Sequence, residues 1–466
     1  MNVINRGVSA LCHLLQRTAW ACCMVGLPIA CLGSDDLEGS NATLVPIVVT
    51  GSRTYATTGF PFSAVVSRSG AVLVSVTADG STGSATGVQV FEPGSAGGLV
   101  PSCLNALPSS AGARADAEVL SLFPGARDAA MGIGYPGAIF YHVRELLACD
   151  ASGYIVAQGS TRLNDAGTFA VAVTPDGKFA FVANEFGIAP GAITVGNIGV
   201  VAIERDVNGD FTVGTALIGQ IPTGGNAIAG VAISPDGTRL YVTSEIAASN
   251  TVASGGGNPV LSRTGCVQQA GGIPRINGLL TVIDVAAAEA NPNSAAILAT
   301  VAAGCSPVRM AETRDQRTLW VSARGDNRVL AFSVAALESN PDEALLGYAD
   351  SAGTAPVGIR LFHHDRFLAV ANSNRFDTGT ANAAILDVTC PASAYVVQTI
   401  PTGLFPREIN VGPDDATLYL TNYISRTFQV IETSTPFRDD NDPRAIDTVS
   451  PSKEHCCSRV PHCGPV

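Results

Sequence analysis

Charge is scarce in this 466-residue chain. Only 14% of its residues are Asp, Glu, Lys or Arg, and lysine occurs only at Lys178 and Lys453. The formal balance is −12, and no basic stripe runs along any segment. A nucleic-acid partner is therefore excluded, since phosphate recognition draws on clustered Lys and Arg. A small anion held by a few local arginines remains open. Helix-favouring Lys and Glu are sparse, whereas glycine is abundant at 49 residues. Also missing are a GxSxG elbow, a Walker loop, an HExxH pair and a CxxCH haem site. Their absence disfavours serine-hydrolase, NTPase, zincin and c-type cytochrome readings, and no motif assigns a cofactor. Beyond residue 33 no segment reads as a membrane span.

The first 33 residues stand apart. Arg6 and Arg17 are their only charges, and TAWACCMVGLPIACLG (18–33) has none. A cationic start, an apolar core and small residues near Ala30 read as an export signal. It is too short, and too broken by Gly and Pro, for a comfortable span. PIAC, ending at Cys31, is similar to a bacterial lipoprotein cleavage site, except that Pro28 stands where Leu is usual. Lipidation there would anchor the mature chain at its N-terminus. The expected location is secreted or periplasmic, where disulfides are plausible. Of the cysteines after Cys31, the pairs Cys103–Cys149 and Cys266–Cys305 are the expected bridges, all four lying in loop-like sequence. The tail, residues 434–466, carries Cys456, Cys457, Cys463, His455 and His462. Their spacing matches no zinc pattern, so a disulfide-bearing tail is favoured over a metal site. Asn41 opens a single glycosylation sequon, meaningful only in a eukaryotic secretory host.

By length alone, two or three domains would be expected unless the chain is a repeat array. SPDGTRLYV (234–242) and TPDGKFAFV (174–182) are near copies. TRDQRTLWV (313–321), FHHDRFLAV (362–370) and GPDDATLYL (412–420) are weaker ones. SRSGAVLVS (67–75) and GYPGAIFYH (134–142) complete seven. A run of small apolar residues precedes each turn. After it come a β-rich run ending near Asp or Glu, such as LLTVIDV (279–285), and then one closing on glycine, such as YVVQTIPTG (395–403). The alternation is period two, punctuated by turn residues. In Pro-Asp-Gly, proline presets φ, aspartate caps its own backbone and glycine accepts positive φ. Units of about 40 to 50 residues with four short strands, repeated seven times, read as one all-β, seven-bladed β-propeller over residues 44–433. LVPIVVTG (44–51) resembles a fourth strand, which the last unit lacks. It is expected to pair with that unit and seal the ring.

The repeats carry a family resemblance. YVTSE (241–245), FVANE (181–185), AVANS (369–373) and YLTNY (419–423) resemble the YVTN repeat. The chain is similar to the lactonase-like seven-bladed propellers, a group that includes 6-phosphogluconolactonase-like and carboxymuconate-cyclase-like proteins. The resemblance implies the fold across about residues 44–433. Its motif belongs to blade packing, the family's catalytic residues lie outside it, and no motif here receives them.

Candidate site residues come from breaks in the pattern. The runs taken as innermost strands in units one to four are small or apolar: SAVV (63–66), AMGI (130–133), AVAV (170–173) and GVAI (230–233). Units five to seven read RMAE (309–312), GIRL (358–361) and EINV (408–411). Arg309, Glu312, Arg360, Arg407 and Glu408 thus fall near the channel on neighbouring blades, and Arg127 is expected in the equivalent loop of unit two. They form either a pocket for a carboxylate or phosphate, with a glutamate as acid or base, or inter-blade salt bridges. Glu185, Glu245, Asn372 and Asn422 close the YVTN-like runs on the face opposite the PDG turns, the face expected to bind ligands. There they cap loops or, less plausibly, ring a cation. His363 and His364 take the place of Pro-Asp in a turn, and His142 reads as a packed, hydrogen-bonded histidine; no metal site is expected. Together these readings imply an exported scaffold for a small anionic molecule or a protein partner. The alternative is a lactonase- or cyclase-like enzyme acting on a small carboxylated sugar or ring lactone.

Overall fold

The computed structural model describes residues 47–435, apart from 81–83, 96, 109–118, 133–136, 151, 159–166, 186–195, 249–250, 263–265, 267–276, 293–295 and 376–380. The export-type segment with Cys31, the sequon at Asn41 and the tail from 436 lie outside the described residues. Seven antiparallel four-stranded sheets follow one another. Their innermost strands are β2 (Phe60–Val66), β6 (Leu120–Leu122), β10 (Thr168–Val173), β14 (Gly225–Ile233), β18 (Pro307–Glu312), β22 (Pro356–Phe362) and β26 (Pro406–Val411). Each touches the next, and β26 touches β2, so the sheets stand radially around a channel as a seven-bladed β-propeller.

Closure uses the N-terminal strand. β1 (Val48–Ala56) pairs antiparallel with β28 (Thr427–Ser434), from Val48 opposite Ser434 to Ala56 opposite Thr427. The pairing begins later and runs longer than residues 44–51; residues 44–46 lie outside the described set. Tyr55 stacks on Phe428 at 5.1 Å, and Phe428 meets Phe91 of the first blade edge-on at 4.8 Å. Closure thus removes an open sheet edge and buries an aromatic joint. The core lies between blades. Trp320 is fully buried beside Ile359, Leu368, Val370 and Leu386 of the next blade.

Two local devices explain the repeats. In the turn, Ser234 Oγ donates to Asp236 at 2.6 Å, the same carboxylate accepts the Thr238 N–H at 3.0 Å, and Gly237 takes φ +76°. Thr174, Asp176 and Lys178 repeat the arrangement. In the YVTN-like run, the third residue reaches across to the next blade. Thr243 donates to Val308 O at 2.7 Å, Ser322 to Val357 O at 2.8 Å and Thr421 to Phe62 O at 2.9 Å. These buried bonds tie each blade to its neighbour's innermost strand.

The second blade is framed differently from the sequence expectation. Its innermost strand is β6, and the AMGI run falls on the second strand, β7 (Asp128–Gly132). The turn copy is FPGARDAAM (123–131), whereas AIFYH belongs to β8 (Gly137–His142). Ala126 N–H bonds Phe123 O at 2.8 Å as Gly237 N–H bonds Ser234 O at 2.8 Å. This turn has Gly-Ala where the template has Asp-Gly, so it lacks the aspartate that marks the clearest copies. Arg127 therefore lies on the PDG-turn face, away from the loops that enter the innermost strands.

Both expected disulfides are placed for bonding, with Cα separations of 6.0 Å for Cys103–Cys149 and 5.6 Å for Cys266–Cys305. Cys103 lies on the outer strand β5 (Leu99–Ala106), not in a loop. No helix among the described residues is long and apolar enough to cross a membrane.

Candidate functional site

A shared irregularity builds the channel wall. Six of the seven innermost strands carry a β-bulge at one level, between Pro61 and Ser63, Thr168 and Ala170, Ile228 and Gly230, Pro307 and Met310, Pro356 and Ile359, and Pro406 and Ile409. A bulge re-aims side chains that regular alternation would send to opposite faces. Phe62, Phe169, Arg309, Arg407 and Glu408 all stand at these bulges. Gly358 fills the equivalent place in the sixth blade. A Cβ there would approach Arg407 O within 2.7 Å and Ile409 N within 2.8 Å, so only glycine lets β22 and β26 come this close.

The bulges bring Arg309 and Glu408 together across the intervening blade. Arg309 Nε donates to Glu408 Oε1 at 2.6 Å, a second guanidinium nitrogen pairs with the same oxygen, and Nη1 bonds Ala229 O. The guanidinium also lies 4.7 Å from the Phe169 ring centroid. Both side chains are almost completely buried. A charge at that depth is tolerated because it is paired and hydrogen-bonded.

This bridge divides the channel. On the PDG-turn side is a cavity of about 380 Å³ lined by residues that include Arg309, Glu312, Arg314, Arg360, Asp365 and Glu408. Arg360 has no carboxylate of its own. Its Nε bonds Asn410 Oδ1 at 3.2 Å and its Nη1 bonds Ile359 O at 3.0 Å. Burial lowers its pKa, opposed by the Glu408 charge and reinforced by Arg309. Glu312 Oε1 accepts from Tyr241 Oη at 3.3 Å, and its Oε2 is buried without a partner. Burial pushes the Glu312 carboxyl up to about 7, against a hydrogen bond from Tyr241 that favours ionisation. Arg314 at the rim is already paired with Asp415 at 2.8 Å.

On the other side is a smaller cavity of about 210 Å³, lined by residues that include Glu185, Glu245, Arg324, Arg375, Phe405 and Arg407. Arg324 donates to Glu245 at 2.6 Å. Glu185 is raised to about 7 by burial and by the Glu245 charge, against Arg375, Arg407 and Arg324. Arg407 lies on aromatic faces, 3.6 Å from the Phe62 centroid and 5.1 Å from that of Tyr423. This is the face the sequence reading favoured for ligands, and its charges compensate one another.

The candidates therefore separate into three places. Arg309, Glu312, Arg360 and Glu408 share the PDG-side cavity. Arg407, Glu185 and Glu245 share the opposite mouth. Arg127 reaches neither. Asn372 and Asn422 cap strands: Asn372 Nδ2 donates to Ser351 O and Asn382 Oδ1, and Asn422 Nδ2 to Thr427 Oγ1. His363 and His364 occupy a turn with positive φ, and His363 Nε2 meets Thr433 Oγ1 at 2.9 Å. No group of three or more His, Cys, Asp or Glu among the described residues is placed to hold a metal ion. Sequence reasoning passed over Arg324, Tyr241 and Asn410. Arg324 could have been found, because it closes WVSAR where Glu185 and Glu245 close their own runs. Tyr241 was hidden as a repeat residue.

Comparisons with known proteins agree on the fold alone. No family model matches the chain, and no curated protein matches it. Among solved structures, a chain of a mitotic checkpoint complex is similar at a TM-score of 0.55 and 11% identity, over 88% of this chain and 99% of that one. The Cps50 (Swd1) β-propeller domain of Myceliophteria thermophila is similar at 0.54 and 11%, over 83% and 99%. The class defined by fold and site is thus a seven-bladed β-propeller with a charged, partitioned channel. The YVTN-repeat resemblance rests on the repeats themselves.

Proposed function

We propose that this chain is an exported propeller that acts by binding, taking a carboxylate-bearing partner into the PDG-side cavity. The observation that carries the reading is Arg360. It lines a cavity with no carboxylate bonded to it, because Arg309 already holds Glu408. Glu312 lines the same cavity, and burial raises its carboxyl to about 7, so that it can carry a proton to donate to an incoming oxygen. Arginine suits such a partner because its fork matches a carboxylate in two bonds. The partner is a small anionic molecule or an acidic side chain of a protein. Solved relatives of this fold within protein assemblies favour neither over the other at 11% identity. Export is supported by the leader-like residues 1–33 and by the Cys103–Cys149 and Cys266–Cys305 disulfides.

Titration calorimetry with small mono- and dicarboxylates and an acidic peptide tests the reading. Binding by either class, weakened about tenfold or more in Arg360→Ala at unchanged melting temperature, is expected. Absence of binding, or binding indifferent to Arg360, would overturn it. A second reading has one observation in its favour. A buried carboxyl at about 7 that accepts from Tyr241 has the pKa of a general acid or base at neutral pH. On that reading the chain opens a ring lactone, and Glu312→Gln abolishes turnover of a lactone panel. A wild-type protein that binds carboxylates and turns over no lactone excludes it.

A further inference from the structure

Arg127 and His142 remain outside the channel, and they meet at a different place. A concavity of about 710 Å³ opens on the PDG-turn face across the first three blades. Its floor is rigid. His142, at the end of β8, is buried, with Nδ1 2.6 Å from Asp128 Oδ1 and Nε2 3.2 Å from Asp210 Oδ1. The imidazole stacks on Phe211 at 4.8 Å with the rings 17° apart. Arg205 lies 4.1 Å from the same ring centroid and donates to Asp128 Oδ2 at 2.9 Å. Arg144 donates to Asp210 Oδ1 at 2.9 Å. Each carboxylate near the floor is thereby committed. Asp176, at the rim, is held by Thr174 and Lys178.

Two cations are left over. Arg68 and Arg127 line the concavity, and they are the two arginines among the described residues whose side chains make no hydrogen bond, ion pair or ring contact. Both enter the same concavity: Arg68 comes from the first blade's turn, and its Nη2 stands 3.2 Å from where a Cβ on Gly125 would be, two residues before Arg127. Glycine at 125, with φ +84°, leaves that space open. Uncompensated positive charge lining one concavity is notable in a chain of net charge −12. Phe123, Pro124, Val143, Leu147 and Pro175 supply apolar wall between the charged groups.

We infer that this concavity is a second binding site, separate from the channel, for a small organic dianion with an apolar body. Arg68 and Arg127 take its charged end, and the wall formed by Phe123 and Leu147 takes the rest. The buried His142–Asp128–Arg205 cluster holds the floor and does not itself need to bind.

Phthalate and phenyl phosphate, each a dianion on a flat ring, are the probes, with benzoate as the singly charged control. Full-length protein is titrated by calorimetry at low ionic strength. Both dianions should bind more tightly than benzoate. Arg68→Ala and Arg127→Ala should each weaken them about tenfold without moving the melting temperature, because neither side chain holds a contact. Arg317→Ala, at an exposed turn arginine elsewhere on this face, should change nothing. Arg360→Ala should also leave these affinities intact, which separates this site from the channel proposal. Dianions bound no more tightly than benzoate, or bound equally by the Arg68 and Arg127 variants, would overturn the inference.

Discussion

The two mouths of the channel are built from the same residue types and dispose of their charge differently. At the loop-side mouth, Arg324 is bonded to Glu245, Arg407 is spread over aromatic faces, and Glu185 sits among three arginines. At the PDG-side mouth, Arg360 reaches only an amide and a main-chain carbonyl, and Glu312 reaches only a phenol. Charged side chains therefore do not by themselves mark a site. Those satisfied by one another hold blades together; those left partly satisfied can answer a partner.

The largest expected effect lies at the partition between the mouths. Arg309→Ala or Glu408→Ala leaves a buried charge unpaired and should destabilise the fold by about 3–5 kcal/mol in denaturant unfolding. Replacing both, as Arg309→Met with Glu408→Leu, should recover most of the loss. A single variant as stable as wild type would show that the bridge is not the structural element dividing the channel.

Next in size is a contrast between mouths. Arg324→Ala strands Glu245 and should cost about 3 kcal/mol, whereas Arg360→Ala should stay within about 1 kcal/mol. Equal losses would erase the distinction drawn between a compensated and an uncompensated end.

The smallest effect is the pH dependence. Glu312 has its folded pKa raised from 4.5 to about 7, so between those values the native state binds more protons than the unfolded one. Its contribution to stability is fully present below pH 4.5 and is lost as pH rises through about 7. Glu312→Gln should flatten that decline when unfolding is compared at pH 5 and pH 8. Glu185 shifts in the same direction, so a residual slope should survive and disappear in the double variant. A wild-type profile flat across this range would contradict the burial of both carboxyls.

Most of the ring was legible because its joints are written into the repeat. The Ser-Pro-Asp-Gly turn and the Thr of the YVTN-like run each make a hydrogen bond that recurs from blade to blade, so the residues recur too. The second blade was misframed by about ten residues because its turn uses Gly125 and Ala126 in place of the aspartate. That single slip carried Arg127 to the wrong place. Polar breaks at Arg309, Glu312, Arg360 and Glu408 were visible as departures from small inner residues. The β-bulges that aim them were not, since a bulge adds a residue to the pairing without a distinctive side chain. Nor could the pattern show that Arg309 and Glu408, almost a hundred positions apart, would neutralise each other and leave Arg360 as the cation of the cavity.

The most direct measurement is succinate affinity, by titration calorimetry, in wild type, Arg360→Ala and Arg407→Ala. A partner held at the PDG-side mouth requires that Arg360→Ala weaken binding about tenfold or more while Arg407→Ala leaves it unchanged. Loss of binding in Arg407→Ala with Arg360→Ala unaffected would place the site at the loop-side mouth and contradict the account.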